Sequence, residues 1–383
     1  MYLRLKNNPY LMFKGYISDL AEKLVERQRE LEVEVWYYGF LPSLFKGVLI
    51  HNGVKYRFFQ PSPLLPRAFR ITIRRALQKY IFRDLPYMPL HFILKLFTCI
   101  VFHRQGASKL IIHVHGHRDI LTYLLLAFKR LKGGFVLIIQ DHGVLPSKSR
   151  LIRYVESKML PLASQIYAGS KWRELVLRRG GLSNVKVLTM GVDIDKFKPL
   201  NKILCRRKLG LPEHKVLALY VGRRYDIKGL PLIISTINKL KRGGFDVDLV
   251  VVGGSREEPL NRLIEGHVKY HFFAVPRDAM PYFYNACDFF VWFVDEAKWR
   301  GIGVSCIEAL ACGKPAISNT LIHLPQENVS MAGLIPNKPE DLERCIKEVI
   351  AKSFSFNPRR VAEKHFNWRK IIDQILTDYF SLT

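Results

Sequence analysis

Residues 216–254 read VLALYVGRRYDIKGLPLIISTINKLKRGGFDVDLVVVGG. A short apolar run stops at Gly222, a helical pattern occupies the middle, and a second apolar run ends at Gly253-Gly254. Apolar runs of strand length that alternate with helical patterns predict parallel strands joined by crossover helices. The same alternation continues outward in both directions. Upstream, KLIIHVHG precedes DILTYLLLAFKRL, FVLIIQDHG precedes SRLIRYVESKML, and QIYAGS precedes KWRELVLRRG. Downstream come KYHFFAV, MPYFYNA, CDFFVWF and SCIEALACG. The pattern therefore describes two α/β sheets, one in each half of the chain.

Between the halves lies VLTMGVDIDKFKPL, residues 187–200, where a strand ends at Gly191 before a polar stretch closed by proline. The boundary is placed there, giving domains of 1–191 and 192–365. The 383 residues suit two domains at about 150 residues each. With 49% hydrophobic residues, both halves can bury a core. A formal net charge of +27 favours phosphate groups, anionic membranes or nucleic acid as partners. Nucleic acid has only the charge in its favour, because no recognisable binding module is present. The six cysteines, at 99, 205, 287, 306, 312 and 345, have no metal or redox spacing and read as reduced thiols. Met1 to Lys6 lead into Asn7-Asn8 rather than a signal-peptide core, and Leu90 to Phe102 is too short for a membrane span. A cytoplasmic location follows as the expectation.

Two stretches carry chemistry. In Gly222-Arg223-Arg224 and Lys228-Gly229, glycine lets the backbone approach a ligand, while Arg223, Lys228 and a helix start supply charge and N–H donors suited to a diphosphate. A solvated basic turn is the alternative reading. In RGIGVSCIEALACGKPAIS, residues 300–318, the loop Gly301 to Gly303 opens a helix whose first amides, at Gly303, Val304 and Ser305, could face a phosphate. Glu308, one turn further, offers two acceptor oxygens to a ribose diol. The alternative is an exposed helical glutamate ahead of a glycine cap. His142 follows the strand FVLIIQ and reads either as a donor to a sugar hydroxyl or phosphate, or as a local cap. His113, His115 and His117 share one side of a strand and turn, but a metal site needs further ligands from elsewhere, and none is expected.

These motifs, in this order, resemble the retaining GT-B glycosyltransferases of family four, also called glycosyl transferases group 1. YVGRRYDIKG is similar to the family's donor-diphosphate turn, MGVDIDKFKP to its interdomain segment, and MPYFYNACDFFVWF to its approach to the donor site. GIGVSCIEALACGKPAIS resembles its nucleotide helix, and HFNWRKIIDQILTDYF its returning C-terminal helix. The resemblance implies two Rossmann-like parallel-sheet domains facing a cleft, with helix 366–383 packing back on the first. It implies an N-terminal acceptor domain, a C-terminal nucleotide-sugar domain and closure of the two against water. The reaction it implies moves a hexosyl group, with retention, from a nucleotide diphosphate sugar to a lipid-linked, glycan or other acceptor. No cofactor or metal is expected. The catalytic candidates are His142, Arg223 and Lys228. The donor-binding candidates are Gly222, Arg223, Lys228, Gly301, Gly303, Val304, Ser305 and Glu308, with Gly15 on the acceptor side.

One departure bears on activity. The family's signature places a first glutamate eight positions before the one matching Glu308, and here that position is Arg300. Arg300 implies a different donor, a neighbouring acid such as Glu296 or Asp295 taking over the sugar contact, or lost activity. The N-terminus, MYLRLKNNPYLMFKGY, matches poorly and keeps only Gly15, before an expected helix from Ser18 to Arg29. Between Pro66 and Arg104, Arg67, Arg70, Arg74, Arg75, Lys79 and Arg83 mix with Phe69, Ile73, Leu77, Tyr80 and Phe82. This stretch reads as a basic amphipathic helix, for an anionic membrane at the inner face of the cell membrane or for packing on the first sheet. The rival functional reading is a non-catalytic GT-B-like protein that binds a polyanion or a membrane surface.

Overall fold

The computed structural model describes residues 16–38, 47–59, 90–102, 110–116, 120–142, 150–222, 227–253, 264, 266–273, 275–296, 301–352 and 355–382. The chain divides into two compact units, Met1–Leu188 with Ile372–Thr383, and Thr189–Ile371.

The first unit contains α1 (Tyr16–Arg27), β1 (Glu34–Tyr38), β2 (Gly47–His51), β3 (Val54–Phe59), α2 (Leu90–Phe102), β4 (Ile111–His115) and α3 (Ile120–Lys132). It continues with β5 (Val136–Asp141), α4 (Arg150–Met159), β6 (Gln165–Ala168), α5 (Lys171–Arg179) and β7 (Val185–Val187). Strands β4-β5-β6-β7 form a parallel sheet in sequence order. Every residue of β5 is buried, which explains its unbroken apolar run before Gln140 and Asp141. The expected helix near the start is α1, and it begins and ends two residues earlier than Ser18 to Arg29.

A second, three-stranded sheet in order β1-β3-β2 departs from the expectation of parallel strands alone, because β2 and β3 form an antiparallel hairpin. Its turn is Asn52-Gly53, with φ of 47° and 78°. Two successive positive φ values give a turn whose twist matches that of the paired strands, and Asn-Gly is the pair that tolerates them best. HNGV between alternating apolar residues was therefore the available sign of this hairpin.

The second unit contains α6 (Lys202–Leu209), β8 (Val216–Val221), α7 (Leu230–Arg242), β9 (Val247–Val252), β10 (Tyr270–Phe272), α8 (Met280–Ala286) and β11 (Phe289–Trp292). It ends with α9 (Val304–Ala311), β12 (Ala316–Ser318), α10 (Gln326–Ala332), β13 (Gly333–Leu334), α11 (Asp341–Ala351) and α12 (Pro358–His365). All six strands are parallel, in the order β10-β9-β8-β11-β12-β13. Counted from β8 this is 3-2-1-4-5-6, the doubly wound order whose direction reverses between β8 and β11. The core joins these strands to α7, α9 and α11. A fully buried Leu, Ile or Val contributes about 1.5–3 kcal/mol, and in β9 all six residues are buried.

The final helix, α13 (Trp368–Leu382), starts in the second unit and contributes Ile372–Thr383 to the first. Within the first unit its buried Asp378 accepts a hydrogen bond from the Tyr167 hydroxyl at 2.9 Å and pairs with Lys186. Asp373 accepts from Arg27 at 2.8 Å. Within the second unit, the segment after Gly191 is held by Arg359, whose guanidinium donates to the carbonyls of Ile194, Phe197 and Ala311 at 2.6–2.9 Å.

Candidate functional site

In a doubly wound sheet the crossover helices leave opposite faces on either side of the reversal, so a crevice opens at the carboxyl ends of the two strands there. In the second unit those ends are Val221-Gly222 of β8 and Trp292 of β11. Trp292 is 1% exposed and its indole N–H donates to the Val221 carbonyl at 3.0 Å, locking the two strand ends together.

The expected cation and the expected helix start both meet this indole. Lys228 Nζ lies 3.9 Å from the centre of a Trp292 ring, a cation–π contact. Its stem crosses Gly222, where an added Cβ would come within 2.8 Å of Lys228 Cδ. Gly229 follows with φ +71°, and a Cβ there would stand 2.2 Å from the Phe293 carbonyl oxygen. Glycine is therefore required for the turn that returns Lys228 to the strand end. At Gly303 a Cβ would lie 2.5 Å from the Trp292 ring. Gly303 is the N-cap of α9, and the first intrahelical bonds into it come from the amides of Cys306 and Ile307. The amides of Val304 and Ser305 thus sit at the positive end of α9, beside the ring that carries Lys228.

Glu308 is not the exposed glutamate of the alternative reading. It is 3% exposed, with Tyr284 donating to Oε2 at 2.7 Å and Arg277 Nη1 2.9 Å from Oε1. Burial, together with the Glu308 carboxylate, pushes the Tyr284 hydroxyl well above its ordinary range, with Ser305 opposing. Glu296 is exposed and receives a long contact, 3.4 Å, from the Asn319 amide, which also bonds the Val294 carbonyl. Gly301 takes φ +122° just before α9. Arg223, Arg300 and Gly15 lie outside the described residues, as do His117 and the basic stretch from residue 66 to 89. The sequence reading missed Trp292, Tyr284 and Arg277. The first had a signal, an aromatic closing an apolar strand ahead of a Gly-x-Gly loop, whereas the other two contact Glu308 only through the fold.

In the first unit His142 follows β5. Its Nε2 lies 3.1 Å from Nδ1 of His115, and the two rings stack with centroids 5.3 Å apart. His113 stacks on the other side of His115 at 4.7 Å, and its Nδ1 is 2.8 Å from the Tyr379 hydroxyl of α13. Burial holds all three imidazoles below their ordinary range. His113 falls to about 3, with His142 adding to the effect, and Asp141 partly opposes the shift at His142. Asp141 itself forms a buried ion pair with Arg173 of α5. Among the described residues no group of three or more His, Cys, Asp or Glu side chains is placed to hold a metal ion. The described cysteines are free thiols, and all but Cys99 are buried.

The architecture is that of the GT-B class, with two Rossmann-like units. Sucrose-phosphate synthase from Thermosynechococcus elongatus superposes with a TM-score of 0.72 at 19% identity, over 96% of this chain and 92% of that one. Anabaena HepE in complex with UDP and glucose gives 0.67 at 16% identity, over 96% of each chain. Residues 201–366, which contain the crevice just described, match the family model of glycosyl transferases group 1. In sequence, D-inositol 3-phosphate glycosyltransferase of Mycolicibacterium smegmatis is 26% identical over 218 residues, 53% of this chain and 49% of that protein. The chain spans about half the length of the curated relatives it matches.

Proposed function

We propose that the protein is a glycosyltransferase whose second unit binds a nucleoside diphosphate sugar at the carboxyl ends of β8 and β11. The observation that carries this reading is the convergence of Lys228 and the N-terminal end of α9 on Trp292, at the point where strand order reverses. A diphosphate needs cations and directed N–H donors at a place the backbone can approach, and this arrangement supplies all three. The match of residues 201–366 to glycosyl transferases group 1, and a structural neighbour that holds UDP, support the same donor class.

Lys228 and Arg223 are assigned to stabilise charge on the departing diphosphate, the electrostatic contribution that dominates such transfers. Gly222, Gly301, Gly303, Val304 and Ser305 line the approach. Glu308 is assigned to the ribose, held for that task by Arg277 and Tyr284. His142 is assigned to hydrogen-bond a substrate hydroxyl or phosphate, and Gly15 to the acceptor side. Glu296 or Arg300 meets the transferred hexose. The reaction proceeds with retention and without a metal.

Membrane contact is a second part of the proposal, and it rests on the first unit's surface. Leu94 and Phe102 of α2, Leu131 of α3, and Leu151 and Tyr154 of α4 are exposed, Leu131 by 85%. Lys132 donates to the Val101 carbonyl at 3.2 Å, which brings the ends of α2 and α3 together. Lys95, Arg130, Arg150 and Lys158 are exposed on the same three helices. Exposed apolar side chains and cations on the same helices suit the interface of an anionic bilayer and thus a lipid-linked acceptor. Among the described residues no helix is long and apolar enough to cross a membrane.

Calorimetry with UDP, GDP and ADP and their common sugar conjugates tests the donor site. Micromolar affinity for one nucleotide, reduced at least tenfold by Lys228→Ala and by Glu308→Ala, is expected. No binding by any of them would overturn the assignment and favour a polyanion-binding shell.

A further inference from the structure

At the carboxyl end of β5, His142 is the last of a row of side chains running back to the C-terminal helix. His115 and Gln140 are register partners in the β4–β5 pair, which places the end of β4 beside His142. His113, two residues earlier on β4, falls on the same side as His115. The row is then Tyr379 hydroxyl, His113, His115 and His142, joined by a hydrogen bond of 2.8 Å, a stack at 4.7 Å and a hydrogen bond of 3.1 Å. The interplanar angles of 14° and 13° show three nearly parallel rings.

We propose that His115 is a positioning residue for His142, fixing its tautomer and ring orientation, and that Tyr379 of α13 and His113 hold His115 in place. The inference rests on the reading of His142 as a substrate-binding group.

Two nitrogens 3.1 Å apart share one proton, so one imidazole donates and the other accepts. His115 and His142 therefore each dictate which nitrogen of the other carries hydrogen. A ring held only by its Cα–Cβ bond can flip and exchange tautomers, whereas a ring stacked on one neighbour and bonded to it keeps a single state. The base of the row is anchored independently. Tyr379 follows Asp378, which Tyr167 and Lys186 grip, and Tyr167 also packs against His113, with ring centroids 5.7 Å apart. At the top, the Asp141–Arg173 pair fixes the backbone from which His142 leaves β5. The C-terminal helix thereby contributes to a site more than two hundred residues away in sequence.

Nitrogen-15 NMR of the histidine rings in the full-length chain tests this directly, using wild type, His115→Ala, His115→Asn and Tyr379→Phe. In wild type, His142 is expected in one tautomer at pH 7. His115→Ala should leave it exchanging between tautomers, with its titration moved up toward 6.5, the ordinary histidine value. His115→Asn, which keeps a hydrogen-bonding group, should restore much of the single state, and Tyr379→Phe should give a smaller change of the same kind. Hydrolysis of the nucleotide sugar that calorimetry selects should then show kcat reduced about tenfold in His115→Ala with KM little changed. A His142 ring with unaltered tautomer and titration in a folded His115→Ala protein would overturn the proposal. Because the NMR readout needs no substrate, failure of the wild type to bind any nucleotide would count against the functional reading alone.

Discussion

The two units present candidate groups at equivalent places, the carboxyl ends of parallel strands, but they build them from opposite materials. In the second unit the site is made by the absence of side chains. Gly222, Gly229 and Gly303 let Lys228, a carbonyl and an indole come within distances that any Cβ would forbid. In the first unit the site is made by the presence of three stacked imidazoles, of which His113 and His115 are kept uncharged by burial. An anion is met by backbone N–H groups and fixed charge, whereas a neutral hydroxyl is met by a neutral group of defined tautomer. The comparison therefore predicts that the units respond differently to added bulk, to lost charge and to pH.

The largest effect is expected where a buried charge loses its partner. Arg173→Leu strands the Asp141 carboxylate, which is fully buried, and should cost the first unit about 3–5 kcal/mol in urea unfolding. The double variant Asp141→Leu/Arg173→Leu should recover much of that loss, and equal damage in both would show that packing, not charge, matters there. In the second unit, Glu308→Ala leaves Arg277 and the Tyr284 hydroxyl facing a cavity. A cost of about 3 kcal/mol is expected, together with loss of nucleotide affinity, which separates this carboxylate from Asp141.

Bulk comes next. Gly303→Ala forces a methyl group against the Trp292 ring and should destabilise the second unit by about 1–3 kcal/mol while lowering nucleotide affinity roughly tenfold. If alanine were accepted without change in either property, the close approach of α9 to β11 would not matter to the site.

The pH response is expected mainly from the first unit, where three neighbouring imidazoles are lowered, with His365 of the second unit shifted the same way by burial. His113 titrates at about 3 in the fold against 6.5 as the ordinary value, so the unfolded chain binds the proton first as pH falls. The stability associated with the neutral ring is fully present above pH 6.5 and is lost progressively as pH falls toward 3. His113→Asn should flatten that slope in thermal melts taken between pH 7 and pH 5, and an unchanged slope would remove the histidine row as its source. Tyr284→Phe, which deletes one hydrogen bond to a carboxylate, should cost about 1.5–3 kcal/mol, comparable to Gly303→Ala, and should lower nucleotide affinity least, well short of the loss in Glu308→Ala.

The same contrast explains what was legible in the sequence. The second unit announces itself because parallel strands buried on both faces must be continuously apolar, and its glycines must sit where backbone or ring approaches. VLALYV, VDLVVV and Gly303 follow from those two requirements, and Gly301 from its φ of +122°. Strand order was not legible, since nothing in VLALYV says that β11 rather than β10 lies beside it. Resemblance places MPYFYNACDFFVWF at the approach to the donor site, but only the strand order singles out Trp292 within it, at the reversal. Glu308 was found as a residue but not as an environment, because Arg277 and Tyr284 reach it only through the packing of their own segments.

In the first unit the alternation of His113 and His115 placed both on one side, yet the row needs His142 from the next strand and Tyr379 from the end of the chain. The β2–β3 hairpin could have been recognised from Asn52-Gly53, where the residue type dictates the turn.

The central claim, that a nucleoside diphosphate lies where Lys228 and the start of α9 meet on Trp292, is tested most directly by a crystal structure with the nucleotide that calorimetry selects. The account predicts diphosphate oxygens within hydrogen-bonding distance of Lys228 Nζ and of the amides of residues 303–305, with the ribose at Glu308. A nucleotide bound elsewhere in the second unit, leaving Lys228 and the start of α9 untouched, would contradict it.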